Sequence, residues 1–148
     1  MQEEVYPPYR YKITVTANHL DHLQHVNNVV YVQWLQDAAY QHWMQKVPEA
    51  LHNEVLWVVR RHEIDYLAGA FLGDELEITT WPGQHTGVTW QRHYTIVRLR
   101  DNQTIIKATS IWALVHRANF RPRRIDAAIL QVLRQENVFR LIYIQKGG

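Results

Sequence analysis

Cysteine is absent from this chain of 148 residues. Disulfide bonds, cysteine-ligated zinc sites and a cysteine nucleophile are therefore excluded. A strong excess of either charge is also missing, because 16 lysines and arginines stand against 14 acidic residues. This near balance disfavours a dedicated nucleic-acid-binding protein, which would carry a dominant basic surface. No apolar run approaches the roughly 20 residues that a membrane-spanning helix needs, so we expect no membrane association.

The N-terminal residues, Met1 to Glu4, are acidic and are not followed by the apolar run of a signal peptide. We therefore expect a cytoplasmic protein. Apolar residues form 47% of the chain, with 6 tryptophans and 8 tyrosines, which is enough to build a hydrophobic core. The length fits a single domain over residues 1–148, with its core at about 9–125 and a C-terminal extension at 126–148.

The segment from Val29 to Met44 predicts a helix that is apolar over most of its surface. Its polar residues recur every three or four positions and so form one narrow stripe on a helix. The stripe consists of Gln33, Gln36, Asp37 and Gln41. Asn27 and Asn28 come just before, where their side-chain oxygens can cap the first free amides. Other structure must cover a helix this apolar.

Five segments are rich in alternating, β-branched residues that are typical of strands, namely 9–17, 55–67, 74–81, 87–99 and 104–115. Short turns between the last four predict antiparallel hairpins. One apolar helix covered by a five-stranded antiparallel sheet is an α+β arrangement. A second helix is predicted from Asp126, as its cap, to about Gln135. The apolar residues 138–144 either add a strand or pack on a partner subunit.

Before the long helix, residues 21–34 have the pattern Asp-x-x-x-His-Val-Asn-Asn-x-x-Tyr-x-x-Trp. This pattern resembles that of the hotdog-fold thioesterases, both the hydroxybenzoyl-CoA thioesterase family and the acyl-ACP thioesterases of plants and bacteria. The resemblance extends over about residues 9–125 and includes Arg61 to Leu67, Gly73-Asp74 and Arg121-Pro122-Arg123. It implies a hotdog fold and hydrolysis of an acyl-CoA or, second, an acyl-ACP. It also implies a homodimer or homotetramer with no cofactor beyond the coenzyme A of the substrate.

Asp21 is the main catalytic candidate that the resemblance implies. A carboxylate beside a thioester carbonyl can attack it as a nucleophile or act as the base that activates water. His25 matches the histidine of the acyl-ACP thioesterases, and it either orients Asp21 or water or only holds the loop. The amides from Asn28 to Val30, at the helix start, are expected to polarise the thioester carbonyl.

Two positions of the loop depart from the families that it resembles. Leu23 stands where acyl-ACP thioesterases carry asparagine, and Gln24 stands where hydroxybenzoyl-CoA thioesterases usually carry glycine. The plant-type set of catalytic groups is therefore incomplete. A simpler mechanism centred on Asp21 is the better inference.

Substrate-binding residues are predicted at Tyr31, within the motif, and in the basic cluster of Arg121, Arg123 and Arg124. The cluster could hold the phosphates of coenzyme A, helped by Arg60 or Lys107, or it could be a solvated basic turn. Glu63 and Asp65 could assist catalysis, although an exposed strand face or an ion pair is the better interpretation.

His19, His22 and His25 are potential zinc ligands, but we expect no metal site because this loop spacing is not a known ligand pattern. Three other functions remain open on the sequence. A hotdog hydratase or dehydratase would place its histidine and acid differently. A non-catalytic acyl-CoA-binding module would not need Asp21, and an interaction domain would bind no thioester.

Overall fold

The computed structural model describes residues 6–134. Within them, five antiparallel strands form one sheet in the order β1-β3-β4-β5-β2. The strands are β1 (Tyr9–Thr14), β2 (Val55–Tyr66), β3 (Glu75–His85), β4 (Thr89–Arg98) and β5 (Gln103–His116). Strands β3, β4 and β5 are consecutive hairpins, whereas β1 and β2 form the two edges of the sheet. The predicted hairpin between β2 and β3 is wrong, because β2 pairs along its length with β5 at the far side of the sheet. The expected α+β class with a five-stranded antiparallel sheet is confirmed.

The long helix α1 (Asn28–Met44) packs on the sheet, chiefly against β1 and β3. Asn27 caps it, because its side-chain oxygen accepts a hydrogen bond from the backbone amide of Val29 at 3.0 Å. The buried residues recur along the helix, and they are Tyr31, Trp34, Leu35, Ala38, Ala39, His42 and Trp43. One apolar cluster surrounds the first half of α1, and a second lies at its C-terminal end.

Two strand ends differ from the sequence prediction, and each difference has a local cause. Strand β1 ends at Thr14, and residues 17–19 form a 3-10 turn in which the amide of Thr16 donates to Nδ1 of His19 at 2.9 Å. Strand β3 continues past Pro82 to His85, with an irregular register after Pro82, which has no N–H to give to the ladder.

Two short helices complete the described residues. The helix α2 (Glu49–Glu54), which was not predicted, follows Pro48 directly, and proline is well tolerated at a helix start. The predicted second helix is α3 (Ala127–Leu133), and Asp126 caps it as expected by accepting from the amide of Ile129 at 3.1 Å. The predicted end of that helix at Gln135 and the apolar segment 138–144 lie outside the described residues. Among residues 6–134, no helix has the length and hydropathy to cross a membrane.

Candidate active site

Asp21 lies in a small closed loop between the 3-10 turn and α1. Leu20 and Val26 form an antiparallel bridge at its base, and the amide of Asp21 donates to the carbonyl of His25 at 2.8 Å. Gln24 turns the loop with a φ of 65°, in the left-handed region that glycine adopts without strain. This conformation is a physical reason for a glycine at that position, and here the loop forms around glutamine.

The carboxylate of Asp21 is held by one oxygen. Its Oδ1 accepts from the amides of Leu23 at 2.9 Å and His25 at 3.4 Å. Its Oδ2 has no hydrogen-bond donor among the described residues, and the side chain is half-buried. A carboxylate that is fixed on one oxygen and free on the other is positioned to receive a proton or to attack a carbon.

The loop is anchored to the segment between β2 and β3. The amide of Val26 donates to the carbonyl of Ala70 at 2.9 Å, and His25 forms a bridge with Phe71. Asp74 rigidifies that segment, since it is 8% exposed and its oxygens accept from the amide of Phe71 and from Arg100, at 2.9 and 3.0 Å. Sequence reasoning gave Asp74 no role beyond the resemblance. Its position directly before a strand was the available signal.

His25 is exposed, and its ring packs edge-on against Phe71, with 5.3 Å between the ring centroids. Within residues 6–134 its ring makes no hydrogen bond to Asp21, and the two residues are linked only through the backbone of the loop. This geometry supports the loop-holding role of His25 that the sequence left open.

The start of α1 offers fewer free amides than the sequence suggested. Asn27 accepts from Val29 with its side chain and from Val30 with its carbonyl, at 3.0 and 2.9 Å. Of the three amides expected to polarise the thioester carbonyl, those of Val29 and Val30 are therefore already bonded within the cap. The amide of Asn28 has no acceptor in the part of the chain that the structure describes. Of the three amides, it is the one left without a partner among these residues.

Tyr31 lies in the core rather than on a surface. It is 2% exposed and packs edge-on against Trp34, with Tyr66 6.0 Å away between ring centroids. Burial raises the pKa of Tyr31 to about 12. Its hydroxyl lies near the backbone of Ala70 but makes no well-formed hydrogen bond among the described residues. A contact with substrate, as predicted, would need a partly opened core, so the substrate-binding role stays a prediction.

The basic turn of Arg121, Arg123 and Arg124 follows the C-terminal end of β5. The amide of Arg123 donates to Leu114 at 2.9 Å, and its guanidinium lies 3.8 Å from carboxylate oxygens of both Glu54 and Asp126. Arg121 and Arg124 are exposed.

The basic turn and the Asp21 loop lie at opposite ends of the sheet. Ala70, which anchors the loop, is three residues from Leu67, whose amide bonds to Ile105 near the start of β5. The turn is fixed instead at Leu114. Nine strand residues separate Ile105 from Leu114, or roughly 30 Å. One chain therefore does not bring Asp21 and the arginines together.

The remaining sequence candidates have ordinary partners. Glu63 pairs with Arg61 on an exposed stretch of β2, as the ion-pair interpretation expected. The Nδ1 of His19 accepts from the amide of Thr16, and its ring packs against Trp34. No group of three potential metal ligands occurs among residues 6–134.

A cavity of about 290 Å³ lies between α1 and the middle of the sheet. The polar stripe of α1, with Trp43, forms one wall, and three tryptophans of the sheet form much of the other. The lining residues include Gln33, Gln36, Asp37, Tyr40, Trp43, Trp57, Trp90, Arg92 and Trp112. Sequence reasoning missed this cavity. The polar stripe of α1 could have indicated it, because polar residues on a helix that other structure covers need a polar or open space beside them.

A hydrogen-bonded network borders this cavity. Gln36 lies 3.3 Å from Nε2 of His62, whose Nδ1 lies 2.5 Å from the hydroxyl of Ser110. Nearby, the indole of Trp112 donates to the hydroxyl of Tyr94 at 3.0 Å. Burial lowers the pKa of His62. A neutral His62 therefore joins α1 to the sheet by polar contacts.

Comparison with solved structures identifies the class of fold. The chain resembles a probable thioesterase, YbaW, from Escherichia coli, with 22% identity and a TM-score of 0.76 over 84% of this chain and 98% of that one. It resembles a Thermus thermophilus thioesterase complexed with coenzyme A and Zn, with 23% identity and a TM-score of 0.75 over 88% and 100%. It also resembles Slr0204 from Synechocystis, a 1,4-dihydroxy-2-naphthoyl-CoA thioesterase, with 14% identity and a TM-score of 0.74 over 86% and 96%. The expected hotdog fold is confirmed.

Sequence comparison gives the family. The acyl-ACP thioesterase N-terminal domain family matches residues 8–133, and the chain belongs to this family. The chain is 27% identical over 86 residues to the chloroplastic acyl-[acyl-carrier-protein] hydrolase FATB3 of Cuphea viscosissima, and 26% identical over 88 residues to its FATB1. These matches cover 58% and 60% of this chain but only 21% of each relative, so the chain spans about a fifth of their length.

Proposed function

We propose that the protein hydrolyses an acyl-CoA thioester to the free carboxylic acid and coenzyme A, with Asp21 as the catalytic carboxylate. The observation that carries this proposal is the geometry of that carboxylate. Two amides hold Oδ1, and Oδ2 is free. Asn28, whose amide is free, is the first residue of α1 and follows Asp21 by seven positions.

Two routes are consistent with this geometry. In one, Oδ2 of Asp21 takes a proton from water, the water oxygen attacks the thioester carbon, and the C–S bond breaks to release the thiolate. In the other, Oδ2 attacks the carbon itself, the thiolate leaves, and water then hydrolyses the resulting anhydride. In both routes the amide of Asn28 donates to the carbonyl oxygen as it becomes negative.

The carrier is proposed to be coenzyme A because two structural neighbours carry it in their descriptions, one as a complex and one in the name of its substrate. Acyl-ACP is the second candidate, since the matching family and both curated relatives are acyl-ACP thioesterases. The two carriers are therefore tested side by side. We expect the activity in the cytoplasm.

We further propose that the protein works as a homodimer or homotetramer. Strand β2 is 12 residues long and pairs only with β5 among the described strands, so its outer edge can pair with another copy. The roughly 30 Å between the Asp21 loop and the basic turn is a second reason. In an assembly, Arg121 and Arg124 of one copy can meet the phosphates of a substrate that another copy's Asp21 attacks.

The experiment that tests the function is a free-thiol release assay on matched acyl-CoA and acyl-ACP substrates, both aliphatic of graded length and aromatic. The proposal expects turnover with at least one acyl-CoA and release of the corresponding acid. Turnover of acyl-ACP alone would replace the proposed carrier. Tight acyl-CoA binding without thiol release would instead support a binding module, and conversion of an enoyl-CoA to a hydroxyacyl-CoA would support a hydratase.

A further inference from the structure

Arg92 is a buried cation that faces the cavity beside α1. It lies on β4, is 7% exposed and lines the cavity together with the tryptophans. Its Nη1 donates to Nδ1 of His42 at 2.9 Å and to the hydroxyl of Thr80 at 3.2 Å. Within residues 6–134 its other guanidinium N–H groups have no acceptor, and no carboxylate forms an ion pair with it.

Neither neighbour compensates the charge of Arg92. Thr80 is neutral, and burial together with the cation of Arg92 lowers the pKa of His42 to about 3, so that its ring is also neutral near pH 7. Burial lowers the pKa of Arg92 only to about 10, so the guanidinium keeps its charge. A buried charge is costly unless it is paired, so this cation favours an anion that can enter the cavity.

The other lining residues indicate which chemical group would accompany the charge of such an anion. The indoles of Trp43, Trp57, Trp90 and Trp112 present flat apolar surface. Asp37 also lines the cavity, but its carboxylate accepts from Gln33 at 2.8 Å and makes no ion pair with Arg92. An anionic group is therefore attracted to the Arg92 end and repelled from the Asp37 side.

We propose that this cavity binds an apolar carboxylate, with its carboxylate on Arg92 and its apolar part against the tryptophans. The ligand has two sources. It is either a free carboxylic acid, such as the product of the proposed hydrolysis, or the distal carboxylate of an acyl thioester. His42 lies 14 positions after Asn28 on α1, or roughly 21 Å, so the second source needs a long acyl chain. Only the choice of source rests on the proposed function.

Direct binding tests the site without any turnover. The probes are 4-phenylbutyrate and 4-phenylbutyramide, which share a shape and differ in charge, and binding is followed by calorimetry and by tryptophan fluorescence. The acid should bind at least about tenfold more tightly than the amide, as expected for hydrogen bonds to a charged group. Equal affinities of the two probes for the unaltered protein would overturn the proposal.

Variants assign the preference to a residue. Arg92→Met should abolish the preference for the acid, Arg92→Lys should keep part of it, and Arg10→Met should keep all of it, because Arg10 is exposed on β1 away from the cavity. A preference that persists in folded Arg92→Met would overturn the proposal. If Arg92→Met does not fold, a reduced preference in folded Arg92→Lys, which keeps a cation but not the guanidinium fork, decides for Arg92, and an unchanged preference decides against it.

Hydrolysis assays then separate the two sources. Hexadecanoyl-CoA and 15-carboxypentadecanoyl-CoA have the same number of carbons, and only the second carries a distal carboxylate. A higher kcat/KM for the second that is reduced in Arg92→Lys identifies the acyl thioester as the source. Equal values, with Arg92-dependent binding of the free acid, identify the acid. Acid binding in a protein that hydrolyses no acyl-CoA of graded length, aliphatic or aromatic, would refute the proposed function and leave this site standing.

Discussion

At the scale of single residues, Asp21 has one oxygen that holds the loop and one that is free. A substitution can separate the loop-holding function from the proposed catalytic function. Asp21→Asn keeps an oxygen that can accept from the amides of Leu23 and His25, so the loop should persist. The amide side chain cannot act as a base and is a poor nucleophile. Thioester hydrolysis should fall by at least about a hundredfold, as is typical for a lost general base.

Thiol release measures the loss, and thermal unfolding checks that the variant remains folded. Asp65→Asn is the matched control, because it removes an exposed carboxylate from β2 and should leave hydrolysis unchanged. A folded Asp21→Asn protein that works within a few-fold of the parent would remove Asp21 from the mechanism. An equal loss of melting temperature and activity would make Asp21 structural.

His42 gives a prediction about stability and pH. Its pKa is about 3 in the folded protein, first because of burial and then because of Arg92 and Lys46, against 6.5 for the free side chain. Between pH 3 and 6.5 the unfolded chain therefore binds a proton that the folded protein does not. Stability must fall as the pH falls through this window, by up to about 1.4 kcal/mol per pH unit from this residue.

The measurement is the free energy of unfolding in urea at several pH values between 5 and 7. His42→Gln keeps an acceptor for Arg92 and removes the titration, so its stability should depend on pH less steeply, by about one proton. His93→Gln is a comparison at a half-buried position, where burial lowers the histidine pKa less. Identical slopes for the parent and His42→Gln would show that His42 does not stay neutral in the folded protein.

At the scale of elements, Asn27 and Asn28 are two neighbouring asparagines with different roles. Asn27 caps α1, and Asn28 is exposed with a side chain that makes no hydrogen bond among the described residues. Asn27→Ala should lower the free energy of unfolding by about 1 kcal/mol, the usual effect of losing a cap, whereas Asn28→Ala should change it little. Urea denaturation compares the two directly. The same loss in both variants would contradict the assignment of the cap.

The elements themselves follow from short-range patterns in the sequence. The stripe of α1, the alternation of the strands and the turns between them gave the helix, all five strands and the hairpins from β3 to β5. They gave the wrong partner for β2, which pairs with β5 and not with β3. The short helix α2 was missed because six residues hold too little periodicity to show. Strand β3 was ended early at Pro82, since the irregular register that admits a proline is set by β4 and not by local sequence.

The site was only partly predictable, because part of it depends on contacts between elements that are distant in the sequence. The pattern that contains Asp21, His25 and Asn28 marked the loop, but how many amides α1 leaves free depends on which asparagine caps it. Arg92 lies on the same buried face of β4 as Trp90, Tyr94 and Ile96, at every second position. A charged residue within such an apolar set is visible in the sequence. The hydrogen-bond partners of Arg92 are Thr80 of β3 and His42 of α1, 12 and 50 positions away, and no local pattern contains that information.

At the scale of the whole molecule, the separation of the Asp21 loop from the basic turn makes a prediction about assembly. If one copy's Asp21 works with another copy's Arg121 and Arg124, each site of a symmetric dimer combines two chains. Two defective variants then complement each other. The first is Asp21→Asn, and the second carries Arg121→Ala and Arg124→Ala, which are exposed positions and should not disturb folding.

In a mixed dimer, one site combines the intact Asp21 of one chain with the intact arginines of the other, and the second site carries both defects. Random reassociation of equal amounts should make about half of the dimers mixed, and about a quarter of all sites fully native. At a substrate concentration well below KM, the mixture should therefore recover about a quarter of the parental rate, clearly above the mean of the two variants.

Light scattering should give a mass that is a multiple of the 17.6 kDa chain. A mixture that only averages its components, or a monomer at micromolar concentration, would mean that Asp21 and the basic turn do not share a site across chains.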